Sequence, residues 1–256
     1  MSRQRLTIKD IRSKYLEAET DFRKVGNLWG ALVLRPLSYY PTWLCLRLGV
    51  SANQVTIFSW IVAIASFVFF ASGSYLGAII GAVLMNVWIL LEHVDGNVAR
   101  GTNSSSQYGD YLDFLSGSVI AQFVFVAIGI GLFRYPDLVM NSLAARFSVL
   151  DINSIVLFLG AWASLTHVLS MLIRGEFVRI LSVSLRVFQV PRNTVLYYLE
   201  TIAHNLFCLC AVLVLMIFGA IFSFLSIIIL AWALINTFYF ISLLILLLKK
   251  GAELDK

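Results

Sequence analysis

The chain has 256 residues, of which 60% are hydrophobic and only 13% charged, and its mean hydropathy is +0.87. Ordinary soluble domains carry about 25% charged residues, so this composition excludes them and points to an integral membrane protein. The net charge of +5 reads as a topology signal and an attraction to anionic lipid headgroups, with no indication of nucleic-acid binding.

In chain order, residues 1–54 read as a cytoplasmic interfacial segment. Apolar positions at 8, 11, 15, 18 and 22 share one helical face, while Lys9, Arg12, Lys14, Arg23 and Lys24 lie elsewhere. The polar N-terminus lacks the early apolar core of a secretory signal. A second amphipathic piece, Leu37 to Leu48, carries Tyr39, Tyr40 and Trp43, residue types that favour the headgroup layer. Arg35-Pro36 is expected to break the chain between the two pieces, and Asn53 and Thr56 to cap the first spanning helix, with a place facing a ligand site as their alternative.

Residues 55–250 read as one bundle of six transmembrane helices, at 55–73, 77–99, 110–133, 153–173, 198–220 and 223–248. Their runs are continuously apolar, whereas barrel strands alternate. The expected fold is therefore all-α and polytopic, with N-terminal interfacial helices. The loop at 134–152, with Pro136 and Asp137, is expected on the extracytoplasmic side. With six spans, every Lys and Arg except Arg134 and Arg146 falls on one side, so both termini are expected in the cytoplasm. The cysteines are Cys45, Cys208 and Cys210, an odd set with two members in a span, which argues against a disulfide framework.

The chemistry concentrates in Glu92-His93-Val94-Asp95-Gly96-Asn97-Val98-Ala99-Arg100 and Gly109-Asp110-Tyr111-Leu112-Asp113. Taking an ionised carboxylate to membrane depth costs roughly 2.5 to 3.5 kcal/mol on insertion scales, so four of them call for positive charge between them. A divalent metal is the simplest candidate. Glu92 and Asp95 are three apart, as are Asp110 and Asp113, and both pairs sit at the cytoplasmic ends of consecutive antiparallel helices joined by the polar turn 101–108. The two acid faces can meet there. Oxygen ligands suit Mg²⁺, Mn²⁺ or Ca²⁺, and no Cys/His cluster suggests zinc. Gly96, Ala99 and Gly109 leave room for a flat or polyanionic ligand against the helix backbone; helix packing is the competing reading.

These residues resemble the signature of the CDP-alcohol phosphotransferase family, D-x-x-D-G-x-x-A-R-x8-G-x3-D-x3-D. Asp95, Gly96, Ala99, Arg100, Gly109 and Asp113 match at every spacing. Arg35-Pro36-Leu37-Ser38 and Leu48 to Thr56 look like the family's approach to its first span, and Thr102 to Ser106 is similar to the turn of the choline and ethanolamine phosphotransferase branch. The resemblance implies a metal-dependent enzyme, using Mg²⁺ or Mn²⁺, that moves a phosphoalcohol group from a CDP-linked donor to the hydroxyl of a lipid or alcohol acceptor and releases CMP, in phospholipid or related glycolipid synthesis. It further implies metal held by Glu92, Asp95 and Asp113, a nucleotide pocket shaped by Gly96, Ala99, Arg100 and Gly109, a site open to the cytoplasm, membrane lipids as surroundings, and a homodimer.

Two positions depart from the signature. Glu92 stands for the first Asp and can still ligate through a longer arm. Gly117 stands for the fourth, which in the family holds a second metal and is the proposed general base. Asp110, one turn before Asp113, is expected to compensate, so Asp110 and Asp113 are the expected catalytic pair. His93 or a substrate oxyanion are alternative bases. Arg174 and Arg179 read either as an anion site for the acceptor or as topology residues, and Arg186 and Arg192 as topology residues. His167, His204, Asn205, Asn236 and Thr237 read as interhelical hydrogen-bonders, and Glu200 as a partner of Arg192 or Arg174. A pseudoenzyme that keeps the fold as a scaffold is the second reading, and an acid-lined transporter a third.

Overall fold

A computed structural model of the chain describes residues 7–18, 29–135, 152–181 and 209–254. Every regular element among them is helical: α1 (Ile8–Ala18), α2 (Arg35–Leu48), α3 (Ala52–Ala71), α4 (Tyr75–Thr102), α5 (Gln107–Ser118), α6 (Phe123–Arg134), α7 (Ile152–Leu181), α8 (Leu209–Ile221) and α9 (Leu225–Leu254). Five stretches are long and apolar enough to cross a bilayer: α3, α4, α5 with α6, α7 and α9. The chain is a multi-pass all-α membrane protein. Of the sixth expected span, at 198–220, the described part is the shorter apolar α8, and residues 198–208 lie outside the described residues.

Two sequence expectations are corrected at the N-terminal side. Arg35-Pro36 does not break the chain. A π-helical turn, Gly30–Leu34, runs straight into α2, and Pro36 is carried inside this continuous helix, its missing N–H falling where the π-helical turn gives way to α-helix. The first span is capped by Ser51, whose hydroxyl accepts from Gln54 N (3.3 Å) while Gln54 Oε1 accepts from Ser51 N (2.9 Å). This reciprocal cap satisfies two orphan donors. Asn53 and Thr56 are thereby released from capping.

The third span is interrupted. α5 ends at Ser118, a 3₁₀ turn covers Ile120–Gln122, and α6 continues to Arg134. The core lies between α3, α4, α6, α7, α8 and α9, around Phe70, Met85, Trp88, Phe125, Ile128, Leu213, Met216, Ile229 and Trp232, with the Phe125 and Trp232 rings stacked at 5.3 Å. On α3, by contrast, Ile57, Phe58, Ile61, Ile64 and Val68 are exposed. With hydrocarbon as the solvent, that outward stripe carries no penalty.

α1 and α2 pack against the end of α4 that carries the acids. Ile11 and Tyr39 form a small cluster with Ile8, Trp43 and Leu46. A second cluster joins Val55 of α3 to Val94 and Val98 of α4, with Cys45 and Leu46 of α2 against it. The N-terminal segment is thus seated on the same end of the bundle as the acids.

Candidate functional site

α4 ends in Asn103, whose left-handed backbone (φ 51°) turns the chain back, and the Ser106 hydroxyl caps α5 by accepting from Gly109 N (3.1 Å). This short connection sets the end of α4 beside the start of α5. Between them and α3 opens a cavity of about 950 Å³. Glu92, Asp95, Gly96, Ala99, Arg100, Gly109, Asp110 and Asp113 all line it, together with His93, Arg35, Asn53, Thr56 and the Asn103 to Ser106 turn. The residues matching the signature are therefore gathered around one cavity.

Each acid of α4 is held by hydroxyls. Glu92 Oε1 accepts from Ser116 (2.6 Å) and Ser59 (2.9 Å), and the Trp88 indole N–H donates to Ser116 Oγ at 3.3 Å. Asp95, only 6% exposed, accepts from Thr56 at 2.7 Å. Glu92, Asp95 and Asp113 lie close enough to repel one another, and Arg100 close enough to attract Asp95. Asp110 adds its charge beside Asp113. Among the described residues, no three His, Cys, Asp or Glu side chains are placed so that they could together hold a metal ion; Glu92 and Asp95 face hydroxyls.

The small residues belong to the cavity wall. A side chain begun at Gly96 would first meet the Arg100 guanidinium, at 3.2 Å, and one begun at Gly109 only Ser106 Oγ and Asn53 Oδ1, at 3.3 and 3.4 Å. Neither glycine supports a helix contact, unlike Gly131 and Gly160, where added atoms would strike backbone carbonyls at 2.1 and 2.4 Å.

Several expected residues lie elsewhere. Arg174 and Arg179 are exposed on α7 and do not line the cavity, and Arg179 is paired with Glu176. Gly117 does not line it either, and an added Cβ there would meet nothing within 4 Å. His167 Nδ1 lies 3.0 Å from Asn236 Oδ1, and Thr237 Oγ1 accepts from the Trp162 indole at 2.8 Å, which bears out the interhelical reading of these three. Arg146, Arg186, Arg192, Glu200, His204 and Asn205 lie outside the described residues.

Sequence reasoning passed over Arg35, Ser59, Ser116, Trp88 and Asn97. Arg35 is 7% exposed yet lines the cavity. A basic residue on an interfacial piece is ordinarily a headgroup contact, so the signal that could have marked it was its place immediately before Pro36 at a helix start. His93 Nδ1 sits 2.8 Å from the Ile89 carbonyl, so that nitrogen carries a proton and donates it there.

No protein-family model matches the chain, and no curated protein matches it.

Proposed function

We propose that the chain transfers a phosphoalcohol group from a CDP-linked donor to an acceptor hydroxyl. In this reaction the acceptor oxygen bonds to the phosphorus bearing the alcohol, the bond from that phosphorus to the bridging oxygen breaks, and CMP leaves with the electron pair. The acceptor's proton passes to a nearby base, for which Asp110 is positioned on the cavity wall. Phosphoryl transfer asks a protein mostly for positioning and charge neutralisation.

The observation that carries this reading is the convergence of three carboxylates, Glu92 and Asp95 from α4 and Asp113 from α5, with Arg100 on the wall of one cavity at the end of the bundle. An all-oxygen set of mutually repelling acids suits a hard cation, so Glu92, Asp95 and Asp113 would hold Mg²⁺ or Mn²⁺, Glu92 and Asp95 turning from their hydroxyl partners to do so. When bound, the cation neutralises charge on the donor's diphosphate. Gly96, Ala99 and Gly109 leave the wall open to the nucleotide, and Arg100 meets its phosphates. The site opens to the cytoplasm, where both termini also lie.

Asp113→Asn tests the reading. Calorimetry with Mn²⁺ and CDP is expected to give metal-dependent binding to the wild type and none to the variant; equal binding by both would remove the metal assignment. A second reading, a scaffold that binds nucleotide without turnover, is favoured by one observation: the fourth acid position is Gly117, which is not on the cavity wall.

A further inference from the structure

Asn97 is buried, 4% exposed, and does not line the cavity. It occupies an unconstrained position of the motif between Gly96 and Ala99. Its partners are unusual for such a place. Nδ2 donates to Ser38 Oγ at 2.9 Å and to Thr42 Oγ1 at 3.3 Å, both on α2 and both fully buried. Oδ1 accepts from Arg100 Nη2 at 2.9 Å.

The orientation of this amide is dictated by proton counting. The Ser38 hydroxyl donates to the Arg35 carbonyl and the Thr42 hydroxyl to the Ser38 carbonyl, each at 2.7 Å. A hydroxyl has one proton, so both present only lone pairs to α4. Asn97 must therefore turn its NH₂ toward α2 and its oxygen toward Arg100. That oxygen holds the guanidinium back over Gly96, against the space that glycine leaves, on the cavity wall.

We infer that Asn97 is a positioning residue that aims Arg100 at the donor's diphosphate, and that the seating of the interfacial helix α2 on Asn97 sets donor affinity. This rests on the donor site proposed above. The hydroxyl pair Ser38 and Thr42 fixes the amide, the amide fixes Arg100, and Arg100 meets the phosphates. A helix lying at the membrane surface thereby reaches the recognition of a cytoplasmic nucleotide through two hydrogen-bonded links.

A double-mutant cycle on the full-length protein in nanodiscs tests this, reading the affinity for CDP with Mg²⁺ and, separately, for cytidine, which has no phosphates. Asn97→Leu is expected to weaken CDP about tenfold, the loss of one charge-assisted hydrogen bond, and to leave cytidine unchanged. In an Arg100→Leu background it is expected to have no further effect, because interacting residues are non-additive. Ser38→Ala combined with Thr42→Val disturbs the same link from α2 without touching α4, and is expected to shift CDP affinity in the same direction with the same dependence on Arg100. Additive effects, or equal losses for CDP and cytidine, would overturn the inference while leaving the donor site standing. A wild type that binds no CDP would overturn the donor site and this inference with it.

Discussion

Gly117 stands where the signature has its fourth acid, and the space around it decides how it can be tested. An added Cβ meets nothing within 4 Å, so a side chain can start there without a clash, and a melting temperature measured alongside separates chemistry from misfolding. On the proposed reading the wild type releases CMP from a CDP-alcohol with Asp110 taking the proton. A positioned base typically supplies about 10² to 10⁴ in rate. Gly117→Asp is then expected to keep the wild-type melting temperature and turnover while raising Mn²⁺ occupancy per chain. The contrary result, no CMP release by the wild type with any acceptor and activity created by Gly117→Asp, would establish the scaffold reading. At this scale the acids were legible because burying charge is costly and a sequence rarely carries that cost without cause. Ser59 and Ser116 were not legible, and Thr56 was legible only as the alternative to a capping role. A hydroxyl in an apolar helix ordinarily gives its proton to a carbonyl one turn back, and the Thr56 and Ala52 carbonyls lie 2.7 and 3.2 Å from Ser59 and Thr56, competing with the carboxylates for the one proton of each hydroxyl. Their second role, on Glu92 and Asp95, depends on which face of α3 meets α4.

Among the elements, the contact of α6 with α7 is set by glycine. A Cβ at Gly160 would come within 2.4 Å of the Phe125 carbonyl, a backbone atom that cannot give way as a side-chain end can. Gly175, on the same helix, has nothing within 4 Å. Gly160→Ala is therefore expected to lower the melting temperature of the purified protein by several degrees, corresponding to about 1 to 3 kcal/mol of overpacking. Gly175→Ala, which gains the same helix propensity, is expected to leave it unchanged or raise it. Equal behaviour of the two variants would mean that α6 and α7 do not approach so closely. The existence and limits of the long helices were readable from continuous apolar runs, to within a few residues at α3 and α4. The interruption at Val119 to Gln122 was not. It is fixed from outside the segment, where the Ser164 hydroxyl of α7 donates to the Gln122 carbonyl at 2.6 Å, and no local pattern announces a contact made 42 residues away.

At the scale of the whole molecule, the packing ties the two faces of the bundle to chemistry. The start of α3, the end of α4 and the start of α5 share the cavity, and α1 and α2 rest on that same end of α4. Whichever side receives the N-terminus therefore receives the site. On the proposed reading that side is the cytoplasm, which the clustering of Arg35, Arg47 and Arg100 at the cavity end favours, with Arg134 at the far end of α6. The argument is open to direct measurement through Ser105, which is exposed in the turn at the cavity mouth. With Cys45, Cys208 and Cys210 replaced, Ser105→Cys is expected to react with a membrane-impermeant maleimide in inverted vesicles and to stay unlabelled in sealed right-side-out vesicles. An epitope placed before Met1 is expected to follow the same pattern. Labelling of both from the outer face would invert the topology and place the cavity away from a cytoplasmic nucleotide. Labelling of the two from opposite faces would contradict the seating of α1 and α2 on α4, and would remove the physical link through Asn97 on which donor recognition is argued to depend.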